Sequence, residues 1–383
     1  MVCWRIIHPV NSIYDLCGSE ITAAQFFHDM NNISLLLKPV SSLCNMKCKY
    51  CFYLDESVNR ATAVYGLMSS ELAKKIVDNV MIDLSEGDVL SIAFQGGEPT
   101  LAGLGFFTEV TEYIRCHASA RSIKVDFSIQ TNGLLLDVAW CDFLKKNDFL
   151  VGLSIDGPKE INDQTRIDKN GLGTFDRIMA AKKLLDSFSV RYNVLFTLTQ
   201  QMAKSPELVW KFILENKIEY VQFMPCLKTS AASEDIAVTP ELYASFYMKI
   251  YDLWNGSFED SVRIKLFSDL EDIARFGRCK TCGLMGNCQL QLVVEADGSV
   301  FPCDFYALDE YCIGNLKDSS VRKLIFSKRV KDYLSLKAEL PNHCDDCEYF
   351  DICGGGCRRM RREVFGLDSK TCGHQILLQH ILS

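Results

Sequence analysis

Three cysteines close together in the chain have the types and spacing of a metal site. Cys44, Cys48 and Cys51 lie at spacings of four and three residues in "SSLCNMKCKYCFY", residues 41–53. A closed tetrahedral metal site needs four ligands, and a disulfide needs two. Three thiolates can hold three irons of a 4Fe-4S cube and leave the fourth iron open to an external ligand. The alternative is a zinc site completed by a distant His or Cys.

A second group of cysteines lies towards the end of the sequence. The run "CDDCEYFDICGGGC", residues 344–357, is dense enough to be a metal site by itself. The first thirty residues lack the apolar core and cleavage site of a signal peptide, so we expect the cytoplasm, where disulfides are rare. The eighteen cysteines of the chain therefore indicate metal binding, in iron–sulfur clusters or in four-cysteine zinc sites.

The segments between the cysteine groups predict the scaffold that positions them. Short apolar runs alternate with segments of helical period, which is typical of βα units with a parallel sheet. Strands are predicted at 33–39, 89–95, 124–130, 149–156, 192–199 and 220–225, with helices near 69–84, 103–118, 137–146, 173–187 and 206–217. The fold class is therefore α/β, with a partial (β/α)6 barrel over residues 30–230.

Polar segments follow the first four predicted strands. They are the three-cysteine segment, "GGEP" (96–99), "TNG" (131–133) and "DGP" (156–158). Because the carboxyl ends of parallel strands meet at one rim, we expect these segments to form a single site.

The rest of the chain predicts two further regions and an extension. A helical bridge spans 231–277, with helices near 240–254 and 266–276. A cysteine-rich domain covers 278–383 and contains a hairpin over 290–305 that turns at "DGS". Residues 1–29 are either an upstream-start artefact or a small accessory segment.

Net charge and hydropathy argue against a nucleic-acid partner and against a membrane-spanning helix. The formal net charge of -8 gives no support for a nucleic-acid partner, since such domains carry a basic face. No apolar run reaches the roughly eighteen residues that a membrane helix needs.

The motifs resemble those of the radical S-adenosylmethionine enzymes, which carry CxxxCxYC after the first strand and "GGEP" after the second. The resemblance implies that S-adenosylmethionine chelates the open iron. Its reductive cleavage releases a 5′-deoxyadenosyl radical that abstracts hydrogen from the substrate. Gly96 and Gly97 would let the backbone approach the amino group of the ligand, because glycine has no side chain.

Five blocks in the same order are similar to the anaerobic sulfatase-maturating enzymes, over about residues 31–375. They are "LLLKPVSSLCNMKCKYCFY", "FQGGEPTLAG", "IQTNG", "VGLSIDGPKEI" and "PCDFY". This resemblance implies S-adenosylmethionine contacts at Tyr50, Gly97, Ser154, Arg166 and Leu227. From the residues alone, Ser154 and Arg166 could be ordinary strand-end and loop positions.

The same resemblance implies a general base and two auxiliary clusters. Asp304 would take the thiol or hydroxyl proton while a Cys or Ser side chain is oxidised; a turn or helix-capping Asp is the alternative. The cysteine-rich tail resembles the SPASM extension, which holds two further 4Fe-4S clusters and brings the total to three. Their ligands would be Cys282, Cys288, Cys303 and Cys357 for one, and Cys344, Cys347, Cys353 and Cys372 for the other. Cys279 could replace Cys282, since the two form a CxxC pair.

The function expected from the resemblance is anaerobic maturation of a sulfatase by oxidation to Cα-formylglycine. The partners would be a sulfatase segment with a Cys-x-Pro-x-Arg or Ser-x-Pro-x-Arg motif and an electron donor such as flavodoxin or ferredoxin. A SPASM enzyme that crosslinks a ribosomally made peptide is the alternative, although residues 1–29 are too short for a leader-binding domain. The open-site motif with "GGEP" argues against a third class, a non-catalytic electron carrier or zinc protein.

Overall fold

The computed structural model describes residues 32–229, 234–257 and 261–383. The expectations for residues 1–29 lie outside this part of the chain. The strands are β1 (Asn32–Leu37), β2 (Val89–Phe94), β3 (Lys124–Thr131), β4 (Leu150–Ser154), β5 (Tyr192–Leu198), β6 (Tyr220–Pro225), β7 (Arg263–Ile264), β8 (Leu292–Val294), β9 (Ser299–Phe301) and β10 (Gly314–Asn315). They form one sheet in the order β10-β9-β8-β1-β2-β3-β4-β5-β6-β7.

Helices connect and cover these strands. They are α1 (Phe52–Val58), α2 (Ser70–Met81), α3 (Gly103–Ser119), α4 (Val138–Lys146), α5 (Lys159–Thr165), α6 (Phe175–Ser187), α7 (Gln200–Ala203), α8 (Pro206–Glu215), α9 (Pro240–Asn255), α10 (Lys265–Phe276), α11 (Val321–Ile325), α12 (Lys328–Leu334), α13 (Phe350–Cys353) and α14 (Gly373–Leu382). Among the described residues, no helix is long and apolar enough to cross a membrane.

The first six strands run parallel to their neighbours, as the alternating pattern predicts. Strand β2 is buried along almost its whole length, which is typical of a parallel strand covered on both faces. Helix α2 buries its apolar side and is capped at its N-terminus by Ser69, whose side chain accepts a hydrogen bond from the backbone N–H of Leu72. The predicted strands, helices and partial barrel are confirmed, and the sheet is open.

The C-terminal hairpin joins the same sheet beside the first strand. Strand β8 pairs in parallel with β1, from Leu35 opposite Leu292 to Leu37 opposite Val294. The pairing continues past the strand, because the backbone N–H of Lys38 donates to the carbonyl of Val294 at 2.8 Å. The residues after β8 and β9 therefore lie against the rim where the three-cysteine segment begins. The domain boundaries at residues 230 and 277 stay predictions.

Candidate active site

The three-cysteine segment connects β1 to α1 at the carboxyl edge of the sheet. Cys44, Cys48 and Cys51 are free thiols and are close enough to influence one another electrostatically. Burial raises the pKa of Cys44 to about 11 and that of Cys48 to about 12. Burial also raises the pKa of Cys51, so a metal that binds the three cysteines as thiolates must release protons.

A tight glycine turn after β2 packs directly on this segment. Gly96 has a φ of 112°, and a Cβ on Gly97 would lie 2.0 Å from the carbonyl oxygen of Leu43. The backbone N–H of Gly97 donates to the carbonyl of Ser41 at 2.8 Å. The missing side chains thus let the "GGEP" turn fix the backbone that leads to Cys44. An additional approach of these glycines to a ligand stays a prediction.

Glu98 joins the turns after β2 and β3. Its side chain is fully buried and accepts hydrogen bonds from Thr100 Oγ1 at 2.6 Å, Thr131 Oγ1 at 2.7 Å and the backbone N–H of Asn132 at 2.7 Å. Asn132 in turn donates from Nδ2 to Asn45 Oδ1 at 2.8 Å, next to Cys44. The "GGEP", "TNG" and cysteine segments are therefore one hydrogen-bonded unit.

Tyr50, Arg166 and Asp156 form a buried group beside Cys48. Arg166 Nη1 donates to Tyr50 Oη at 2.7 Å, and Tyr50 Oη donates to Asp156 Oδ2. The guanidinium lowers the pKa of the Cys48 thiol and so opposes the larger effect of burial. Arg166 Nε is buried without a hydrogen-bond partner in the described structure, so it remains available to a ligand.

Ser154 and Leu227 lie on the same rim, at the end of β4 and shortly after β6. Ser154 Oγ accepts a hydrogen bond from Gln130 Nε2 at 2.8 Å, and Leu227 is buried. The five residues proposed to contact S-adenosylmethionine therefore all lie at or beyond the carboxyl ends of the strands or in the loops that follow them. Their role as ligand contacts stays a prediction.

Asp304 lies in a buried polar pocket formed by three residues that sequence reasoning missed. Its Oδ2 atom accepts hydrogen bonds from Tyr53 Oη at 2.8 Å and from Gln95 Nε2 at 2.9 Å. Its Oδ1 atom lies 3.0 Å from Lys38 Nζ and has no hydrogen bond of good geometry. Hydrogen bonds thus anchor Oδ2, whereas Oδ1 is held by its ion pair with Lys38.

Lys38 is the centre of a buried charge network. Its ammonium group also lies 3.2 Å from Glu56 Oε2 and 3.6 Å from Glu295 Oε1, and Arg60 Nη1 lies 2.8 Å from the same Glu295 oxygen. Burial opposes the charge of Lys38, but the three carboxylates hold its pKa above the usual range. Burial also raises the pKa of Glu56 to about 8. Since Glu295 and Asp304 follow β8 and β9, the network joins the hairpin to the barrel.

The C-terminal cysteines fall into two groups. Mutual electrostatic influence links Cys282, Cys288, Cys303 and Cys357, and separately Cys344, Cys347, Cys353 and Cys372. Burial raises the pKa of Cys282 to about 12. Cys279 has Asp269 and Lys265 as its main charged neighbours instead of other thiols. These electrostatic neighbours favour Cys282 over Cys279 as a member of the first group.

Comparison with known proteins identifies the family. Residues 39–202 match the radical SAM superfamily, and residues 287–348 match the SPASM iron–sulfur cluster-binding domain. A cysteine-type anaerobic sulfatase-maturating enzyme of Clostridium perfringens is 39% identical over 337 residues, which cover 87% of this chain and 90% of that protein. The chain belongs to the anaerobic sulfatase-maturating enzymes. It is therefore a radical S-adenosylmethionine oxidoreductase.

Two further relatives place the chain within the sulfatase-maturating family. A serine-type enzyme of Bacteroides thetaiotaomicron is 29% identical, over 85% of this chain and 83% of that protein. A solved structure described as native anSMEcpe with bound AdoMet and Kp18Cys peptide superimposes with a TM-score of 0.83 at 36% identity, covering 92% of this chain and 97% of that one. The identity is thus higher to the cysteine-type relative than to the serine-type relative.

Proposed function

We propose that this enzyme oxidises an active-site cysteine of a sulfatase to Cα-formylglycine. The observation that carries the proposal is the buried Asp304 carboxylate, which is hydrogen-bonded at Oδ2 and ion-paired with Lys38 at Oδ1, where the C-terminal hairpin meets the barrel rim. The higher identity to the cysteine-type relative supports cysteine as the preferred target.

The donor atoms on the rim fit the cofactors of this chemistry. Cys44, Cys48 and Cys51 would hold the open cluster, and the unpartnered Arg166 Nε would face the bound cofactor, together with Tyr50, Gly97, Ser154 and Leu227. The two C-terminal groups of four cysteines would each saturate one auxiliary cluster. When bound, S-adenosylmethionine supplies the hydrogen-abstracting radical and an auxiliary cluster accepts one electron.

Residues of the chain accept the proton that the reaction releases. Oxidation of the cysteine side chain to a thioaldehyde removes one β-hydrogen atom, one thiol proton and one electron. Asp304 Oδ1 takes the proton, while Tyr53 and Gln95 fix the orientation of the carboxylate. Asp304 directly follows Cys303, so it would take the proton beside a proposed ligand of the auxiliary cluster that would accept the electron. Water then hydrolyses the thioaldehyde to the aldehyde and releases hydrogen sulfide.

A peptide assay tests the proposed function. We expect anaerobic incubation with a reductant, S-adenosylmethionine and a Cys-x-Pro-x-Arg peptide to give the formylglycine product by mass spectrometry. The matched Ser-x-Pro-x-Arg peptide should react more slowly. Cleavage of S-adenosylmethionine without an aldehyde from either peptide would contradict sulfatase maturation and favour peptide crosslinking.

Iron analysis tests the cluster assignment. Three cubane clusters predict about twelve irons per chain, and Cys48→Ala should reduce this to about eight and abolish S-adenosylmethionine cleavage, because only the open cluster loses a ligand. Cys279→Ala is the matched control and should retain about twelve irons. Zinc in place of iron, or a loss of iron in the Cys279 variant, would contradict the assignment.

A further inference from the structure

The outer face of the three-cysteine segment is basic. Residues 46–49 pair with residues 165–168 in antiparallel fashion: Met46 bridges Asp168, and the backbone N–H groups of Lys47 and Lys49 donate to the opposite chain at 2.8 Å and 3.0 Å. Side chains of an extended segment alternate between its two faces. Met46 is buried and Lys47 and Lys49 are exposed, so two ammonium groups lie on the outside of the segment whose inner side presents Cys48.

A cavity of about 300 Å³ extends this basic face. Lys49 and Lys204 both line it, together with the amide side chains of Gln164, Gln200 and Gln201. Within the part of the chain that the structure describes, Asp235 is the only carboxylate that lines it. Lys47, Lys49 and Lys204, which we call the basic face, are exposed and have no ion-pair partner among the described residues. Their charges are therefore directed towards solvent.

We propose that the basic face docks a small acidic one-electron donor protein that carries a flavin or an iron–sulfur centre. The proposal rests on the proposed function, which requires an electron at the cluster of Cys44, Cys48 and Cys51. With a formal net charge of -8, the enzyme as a whole repels an acidic protein, so a local basic area determines where such a protein can approach. In the docked complex the donor is oxidised by one electron, which reaches the cluster across the short segment that contains Cys48.

Charge and position argue against the sulfatase segment as the partner that binds the basic face. The sulfatase motif contains an arginine, which the three lysines would repel. The face also lies on the outer side of the cysteine segment, whereas Asp304 lies at the seam with β8 and β9. Lys47 and Lys49 flank a proposed cluster ligand, so an incoming electron has only a short distance to travel.

Charge reversal tests the docking proposal. The triple variant Lys47→Glu, Lys49→Glu and Lys204→Glu should bind reduced acidic flavodoxin about tenfold or more weakly by calorimetry at low salt. Its flavodoxin-driven cleavage of S-adenosylmethionine should fall by a similar factor and lose its dependence on salt. With reduced methyl viologen, a small cationic donor that needs no basic docking face, the cleavage rate should stay within about twofold of wild type.

A second triple variant controls for the change in total charge. Lys124→Glu, Lys146→Glu and Lys183→Glu alter exposed lysines of β3, α4 and α6 that do not line the cavity, and they should leave flavodoxin binding close to that of wild type. Equal weakening in the two triple variants would overturn the proposal, as would equal loss of the viologen-driven rate and the flavodoxin-driven rate in the first. Failure of the proposed function would be distinguishable, because wild-type enzyme would then make no aldehyde with either donor.

Discussion

Asp304→Asn is expected to lower aldehyde formation by about a hundredfold or more while S-adenosylmethionine cleavage continues. The amide has nearly the same shape as the carboxylate, but it cannot take the thiol proton. Tyr53, Gln95 and Lys38 surround the Asp304 carboxylate, so the substitution changes the charge at the centre of the pocket. The measurement is the ratio of formylglycine peptide to 5′-deoxyadenosine formed under anaerobic conditions.

A nearby carboxylate provides the matched control. Asp309 accepts a hydrogen bond from the backbone N–H of Ala61 at 2.6 Å and, among the described residues, is not one of the carboxylates paired with Lys38. Asp309→Asn should therefore keep the wild-type ratio of aldehyde to cleaved cofactor. If Asp304→Asn also kept that ratio, Asp304 would not be the general base.

Lys38→Met is expected to lower the free energy of unfolding by about 3–5 kcal/mol, because it leaves buried carboxylates without their cation. Lys38 is 1% exposed and lies within 3.6 Å of carboxylate oxygens of Glu56, Glu295 and Asp304. Anaerobic urea unfolding of the cluster-loaded enzyme measures the stability. The ratio of aldehyde to cleaved cofactor should also fall, since the ammonium group helps to hold Asp304.

Two controls separate this effect from the loss of an ordinary ion pair. Lys74→Met breaks a partly exposed pair with Glu109 and should change the stability by no more than about 1 kcal/mol. The double variant Lys38→Met and Glu56→Gln removes one charge of each sign and should recover part of the lost stability. A Lys38→Met variant as stable as Lys74→Met would show that the buried network does not need its central cation.

The barrel was predictable from the sequence because its signals are local. Apolar runs such as "VLSIAFQ" have the length and composition of buried parallel strands, and the observed strand Val89–Phe94 lies within that prediction. The spacing of Cys44, Cys48 and Cys51 is equally local, as are the "GGEP" and "TNG" turns. These segments follow consecutive parallel strands, so their meeting at one rim also follows from the fold class.

The seam between β1 and β8 was not predictable, because its partners are distant in sequence. No local period indicates that Leu35 pairs with Leu292. In the sequence Lys38 is therefore only a charged residue at the end of an apolar strand, because two of its three carboxylate partners, Glu295 and Asp304, come from the distant hairpin region. Tyr53 and Gln95 were missed for the same reason. A lysine directly after a run of leucines was the one available signal.

The most direct test of the account is a peptide whose target cysteine carries deuterium at the β-carbon. Incubation with the reduced enzyme and S-adenosylmethionine should give the formylglycine peptide together with deuterium-labelled 5′-deoxyadenosine, because the account requires hydrogen abstraction from that carbon. The Asp304→Asn variant should yield far less of the aldehyde in the same assay. Cofactor cleavage by the wild-type enzyme with unlabelled 5′-deoxyadenosine and an unchanged peptide mass would contradict the account.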